Sequence, residues 1–189
     1  MHHYYHFYKP VGCVSARKDA EHTTVMDYFP SELRETLFPL GRLDKNTEGL
    51  LLITDDGKLN HRLLDPENHI KKQYLLWATG TLGEGELSQL RSGVCLKGLP
   101  EPTKPARVEV LERAELADIS EPIFENRRHL LTETPHAPAI KCALWLTEGK
   151  RHQVKRMFEA VGCTVVWLRR TEFAGIALDE TLNPGEYRP

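Results

Sequence analysis

The apolar block Leu50-Leu51-Leu52-Ile53 is closed off by Gly49 in front and by the turn pair Asp56-Gly57 behind. A short continuous apolar run with such bounds predicts a buried strand. That strand constrains what precedes it, because the polar loop Gly41-Arg42-Leu43-Asp44-Lys45-Asn46-Thr47-Glu48 then enters the sheet from a rigid anchor. Asp44 thus sits on a supported loop beside basic residues. An aspartate in a loop is ordinarily a turn former or a solvated charge, and the loop alone does not decide between that and chemistry.

A second segment lies far downstream, Glu148-Gly149-Lys150-Arg151-His152-Gln153-Val154-Lys155-Arg156-Met157-Phe158-Glu159-Ala160-Val161-Gly162. Val154, Met157, Phe158 and Val161 recur at helical spacing and define one apolar face, and Gly162 is placed to end the helix. Lys155 and Arg156 flank that face. A cationic helical face is most often only a solvated one.

The remaining pattern predicts an α+β domain with a mixed, mainly antiparallel sheet and helices on its flanks. Strands are expected at 4–9, 50–54, 72–79, 107–111 and 140–147, with 164–169 and 173–178 as a pair. A short helix is expected over 24–28, with a threonine as its cap, and further helices over 58–64, stopped by Asp65-Pro66, and 84–92. Prolines at 100–105 and 135–138 bracket a stretch read as irregular. No βαβ repeat, internal repeat or low-complexity tract is visible.

At 189 residues the chain is long enough for one sizeable domain, or two small subdomains expected to flank a cleft, with a core that needs no disulfides. The four cysteines are scattered without a Cys-x-x-Cys spacing, which suits free thiols in a reducing cytosol and argues against a zinc ribbon. The nine histidines, three of them His2, His3 and His6, lack a second ligand cluster, so neither a metal nor a cofactor is expected. No apolar run approaches the roughly 18 residues of a membrane span and no signal peptide is evident, so the expected location is cytoplasmic. A formal net charge of −2 weighs against a nucleic-acid partner. The distribution answers that objection: basic residues gather at Lys141, Lys150, Arg151, Lys155, Arg156, Arg169 and Arg170, while acids concentrate between Glu109 and Glu133.

Together these segments resemble the RsuA-type branch of the pseudouridine synthases, enzymes that isomerise uridine to pseudouridine in RNA. Phe7-Tyr8-Lys9-Pro10 is similar to the family's lysine-proline motif, Gly41 to Gly57 to its catalytic motif, and Lys72-Gln73-Tyr74 to its lysine-x-tyrosine motif. Thr103-Lys104-Pro105-Ala106, the segment from Glu148 to Gly162, and the closing Pro184-Gly185-Glu186-Tyr187-Arg188 match as well. The resemblance covers nearly the whole chain and within the branch is strongest to the member acting on small-subunit ribosomal RNA. It implies Asp44 as nucleophile, Lys155 as the cation that keeps it ionised, and Tyr74 as the aromatic face that holds the base. Most members carry an N-terminal S4 RNA-binding module before the lysine-proline motif. Only eight residues precede Lys9 in this sequence, so targeting is expected to rest on the catalytic domain or on other factors, and large-subunit or transfer RNA stays open as a substrate.

The reaction breaks the bond between a uracil nitrogen and the ribose, turns the base and rejoins it through carbon, with no redox change. A base stacked in a helix cannot be reached, so the target nucleotide must be extruded or single-stranded. Arg42, whose planar guanidinium stacks on bases or bridges phosphates, is the candidate to fill the vacated space, the alternative being a salt bridge that shapes the loop. Lys72, Arg151, His152, Gln153 and Arg156 are the further candidate RNA contacts. The expected partner is ribosomal RNA or a ribosomal assembly intermediate, bound by a monomer. Two readings from other classes are a ribosome-assembly factor that binds without chemistry and a glycosidase. The glycosidase would need a second positioned acid, and Asp55 and Asp56 look like turn residues instead.

Overall fold

A computed structural model describes residues Met1–Pro189. In chain order the strands and helices are β1 (Tyr4–Lys9), α1 (Ser31–Arg34), β2 (Phe38–Leu40), β3 (Glu48–Thr54), α2 (Gly57–Leu64), β4 (Lys72–Thr79), α3 (Glu84–Ser92), β5 (Arg107–Glu115), α4 (Leu130–Glu133), β6 (Pro138–Leu146), α5 (Gln153–Ala160), β7 (Thr164–Phe173), β8 (Ile176–Ala177) and β9 (Tyr187–Arg188). The fold is α+β with mixed, mainly antiparallel strand pairing. The chain divides into two compact units, one of Met1–Lys72 with Arg169–Pro189 and one of Gln73–Leu168.

In the first unit β3 runs antiparallel to β1 from Tyr4↔Thr54 to Lys9↔Gly49, and antiparallel to β2 at its far end. The end of β7 joins it in parallel, with Glu48 opposite Arg169 and Gly49 opposite Arg170. Both faces of β3 are covered, which is why its sequence is an unbroken apolar run rather than an alternation. Leu50 packs in a cluster with Tyr8, Leu40, Phe173 and Leu178, to which α2 adds Leu59 and Leu63. On the other face Phe7 meets Tyr28 and Phe29, each at 5.6 Å between ring centroids. Helix α2 begins where Asp56 accepts a hydrogen bond from Leu59 N and stops at Asp65 before Pro66, as its sequence predicts.

The C-terminal strand closes this unit. Tyr187 stacks on Phe29 at 4.2 Å, and β9 pairs with β1 at His6↔Arg188. His6 is buried and its Nε2 accepts from Asp179 N at 2.9 Å, so the ring must be neutral there. Burial pushes its pKa down, and the Arg188 charge adds to this while Asp179 opposes it. A histidine whose folded pKa lies below its unfolded value near 6.5 takes up a proton more readily when unfolded. Its contribution is present above that value and is lost as the pH falls below it. Urea unfolding is therefore expected to show a stability loss between pH 7 and 5 that His6→Gln removes in part. An identical pH dependence in the two proteins would contradict this role.

In the second unit β5 pairs antiparallel with β6, and the core gathers Trp77, Leu116, Ile123, Ala139, Val166 and Trp167. Glu121 takes a bond from the Trp77 indole at 2.8 Å and from the Lys141 ammonium at 2.9 Å.

Several expectations need correction. Of the segment from Glu148 to Gly162 only Gln153–Ala160 is helical, because His152 occupies the left-handed region at φ 52° and the residues before it form a turn. The bracketed stretch read as irregular carries β5 as far as Glu115, 3-10 turns at Leu116–Asp118 and Glu125–Arg127, and α4. The strands expected at 164–169 and 173–178 are divided differently: β7 runs unbroken to Phe173 and turns through Ala174 and Gly175, both at positive φ, into β8. No helix is long and apolar enough to cross a membrane.

Candidate active site

The loop carrying Asp44 is fixed through the backbone of Leu43, Asp44, Lys45 and Thr47. Gly41 turns the chain out of β2 at φ 83°, Leu43 is buried, and Thr47 N donates to Asp44 O at 3.0 Å. From the segment after β1, Gly12 N donates to Lys45 O at 2.8 Å. The Lys9 ammonium, completely buried, donates to Thr47 O at 2.7 Å, Pro10 O at 2.9 Å and Lys45 O at 3.3 Å. A buried cation is tolerated only when it is well bonded, and here three carbonyls of two neighbouring loops supply the bonds. The lysine-proline pattern gives Lys9 a place in a motif, but nothing in the pattern says that its partners are loop carbonyls some 36 residues away.

The loop ends at the buried Glu48, which accepts from the Tyr8 hydroxyl at 3.1 Å and lies 3.6 Å from the Arg169 guanidinium. Burial, with the Glu48 charge behind it, pushes the Tyr8 phenol up to about 12, so Tyr8 remains a donor. The Arg169 guanidinium carbon lies 5.8 Å from the Tyr8 ring centroid. Asp44 is half-buried and Arg42 is exposed, so both are accessible to a ligand. Arg170, counted from the sequence among the basic residues, is only 2% exposed: its Nε donates to Leu50 O and its guanidinium carbon lies 4.6 Å from the Phe173 ring centroid. It is an element of the core. Lys72 is half-buried, with its ammonium 5.9 Å from the same ring.

In the second unit Tyr74 lies in β4 at 9% exposure. Helix α5 turns Val154, Met157 and Phe158 inward and leaves Lys155 half-buried at its side, the ammonium 4.9 Å from the Phe124 ring centroid. The turn before α5 is built around Glu148, which accepts from Lys104 N at 2.7 Å and from the Gln153 amide at 2.9 Å. Gln153 in turn accepts from Lys150 N at 2.9 Å. The Thr103–Ala106 motif and the helix motif thus meet at one carboxylate. Gln153, a candidate RNA contact by sequence, is 4% exposed, and its amide braces this turn. Arg156 donates to Lys97 O and to Arg151 O, which ties its guanidinium to the protein backbone. Arg151 and His152 are exposed.

Removing the Glu148 carboxylate takes the acceptor from the buried Gln153 amide and from the part-buried Lys104 N–H. Glu148→Ala is expected to cost about 1–3 kcal/mol, read as a lower urea midpoint. A change within about 0.5 kcal/mol would show that the turn holds without it.

Known proteins are similar to this chain in sequence and fold. A family model for RNA pseudouridylate synthases matches residues 3–160. The Ribosomal small subunit pseudouridine synthase A of Haemophilus influenzae is 36% identical over 98% of this chain and 69% of its own length. An uncharacterized RNA pseudouridine synthase of Bacillus subtilis is 40% identical over 95% of this chain and 66% of its own. A crystal structure of a pseudouridylate synthase, 35% identical, superposes with a TM-score of 0.82 over 100% of this chain and 70% of that one. The chain belongs to the RNA pseudouridylate synthase family and is a pseudouridine synthase, an isomerase acting on RNA.

Proposed function

We propose that the chain isomerises one uridine of small-subunit ribosomal RNA, acting as a monomer in the cytoplasm. Asp44 is the nucleophilic carboxylate, Tyr74 the aromatic face that holds the base, and Lys155 the cation the reaction draws on. The observation that carries the choice of RNA is the 36% identity, over 98% of this chain, to an enzyme named for the small ribosomal subunit. Two physical features support the roles. Asp44 is an accessible carboxylate on a loop whose backbone is immobilised, as a nucleophile requires. Tyr74 stands on a strand, and a ring face tolerates rotation of a base stacked on it. Release of tritium from carbon 5 of labelled uridine tests the substrate directly. Small-subunit ribosomal RNA, free or in an assembly particle, is expected to release label, whereas large-subunit and transfer RNA are not. Equal release from all three would overturn the choice of RNA.

The charge on Lys155 is open to a separate test. Lys155→Met is expected to lower the rate about a hundredfold or more, and Lys155→Arg to keep several times more activity, because arginine preserves the charge while changing the geometry. Equal rates in the two variants would contradict the role.

Arg42, Lys72, Arg151 and His152 are the proposed RNA contacts, with Arg156 confined to supporting the turn. So few cations predict a shallow salt dependence, a slope of log affinity against log salt of roughly −2 for three neutralised phosphates on a single strand. Fluorescence anisotropy across a salt series measures it, and a slope near −6 would require a much larger basic surface.

A further inference from the structure

The bonds that fix the downstream half of the Asp44 loop come from Lys9, Gly12 and Thr47. On the upstream side a side-chain hydroxyl takes over. Ser15 Oγ donates to Leu43 O at 2.9 Å and accepts from Leu43 N at 3.0 Å. Both groups are buried, and 28 residues separate them in the chain. A hydroxyl carries one proton and two lone pairs, so it is among the smallest side-chain groups able to satisfy the donor and the acceptor of a single residue at once. Leu43 N belongs to the peptide plane shared with Arg42, and Leu43 O to the plane whose nitrogen is that of Asp44. One oxygen therefore fixes both peptide planes that flank Leu43, and the second of these leads directly into the Asp44 Cα and helps aim its side chain. Ser15 is itself held in place, since its neighbour Val14 donates to Thr23 O and accepts from Val25 N, both at 3.0 Å.

We propose that Ser15 is a positioning residue for the Asp44 carboxylate, acting through the backbone of Leu43 and touching neither RNA nor the reacting atoms. This rests on the reading of Asp44 as the nucleophile. Without the hydroxyl, Leu43 retains its buried side chain but loses both bonds that fix its peptide planes. A carboxylate displaced by a fraction of an ångström to an ångström attacks poorly, while binding of the RNA, which does not involve Ser15, is unchanged.

The test is single-turnover isomerisation and RNA binding by Ser15→Ala, with Thr54→Ala and Asp44→Asn measured alongside at a temperature below every unfolding midpoint. Thr54 is a matched control: its buried hydroxyl also donates to a backbone carbonyl, His3 O at 2.7 Å, and accepts from a backbone amide, Asp56 N at 3.0 Å. Ser15→Ala is expected to lower the single-turnover rate about tenfold to a hundredfold with its RNA dissociation constant within about twofold of the parent. Thr54→Ala is expected to lose comparable stability and keep its rate. A Ser15→Ala rate within about twofold of the parent, or an equal rate loss in Thr54→Ala, overturns the proposal, given that a loss worth acting on here is tenfold. Asp44→Asn separates the two readings. If it is inactive while Ser15→Ala is normal, only the role of Ser15 falls, and if it is active, the nucleophile itself is wrong.

Discussion

Asp44→Asn is expected to lower pseudouridine formation by about a thousandfold or more, with no loss of folded structure. The amide is nearly isosteric with the carboxylate but cannot attack the ribose or carry its charge. The fold should be indifferent to the exchange, because the loop is held through backbone atoms: Thr47 N on Asp44 O, Gly12 N and the Lys9 ammonium on Lys45 O, and the Ser15 hydroxyl on Leu43. RNA binding should persist. A folded Asp44→Asn protein that forms pseudouridine at near the parent rate would remove Asp44 from the chemistry.

The largest expected loss of stability comes from a methyl group at Gly49. This residue lies at φ 112°, where side chains are strained, and an added Cβ would stand 2.2 Å from Arg170 O and 2.8 Å from Arg170 N. Neither obstacle is the end of a flexible side chain, since both belong to the parallel pairing of β3 with β7. Gly49→Ala must therefore push the two strands apart one residue after Glu48, where the Asp44 loop ends. We expect a cost of about 4 kcal/mol, seen as a fall in the thermal midpoint of roughly 8–16 °C. A drop of less than about 2 °C would mean that the two strands separate at little cost.

The sequence was most legible where one local rule governed a whole element. β1, β4 and α3 lie at the residues their patterns predict, and α2 is one residue longer, because apolar runs, caps and the Asp65-Pro66 stop act within a few residues. It was least legible where a partner remote in the chain decided the outcome. The pair Arg169-Arg170 interrupts an apolar pattern and suggests a strand end, but Leu50 O and the Phe173 ring receive Arg170, and the strand continues. β2 and β9, of three and two residues, are too short to show a period and exist because β3 and β1 offer them an edge. The same division holds for the site. The strand behind Asp44 shows only that its loop is supported, and its role, like others in the site, came from the resemblance, whereas Gln153 reads as a polar helix residue and is turned inward by Glu148, five positions earlier. Ser15 and Lys9 bear on the loop only through contacts that no spacing rule connects. The roles of Tyr74 and Lys155 came from resemblance to a family, since a strand tyrosine and a helix lysine are commonplace.

The most direct test of the account is to incubate the purified chain with small-subunit ribosomal RNA, map pseudouridine by chemical labelling and reverse transcription, and assay free uracil in the same reaction. One uridine is expected to be converted by the parent protein, with the base retained through its carbon link, and none by Asp44→Asn. Release of free uracil, or an unchanged pseudouridine signal with Asp44→Asn, would contradict it.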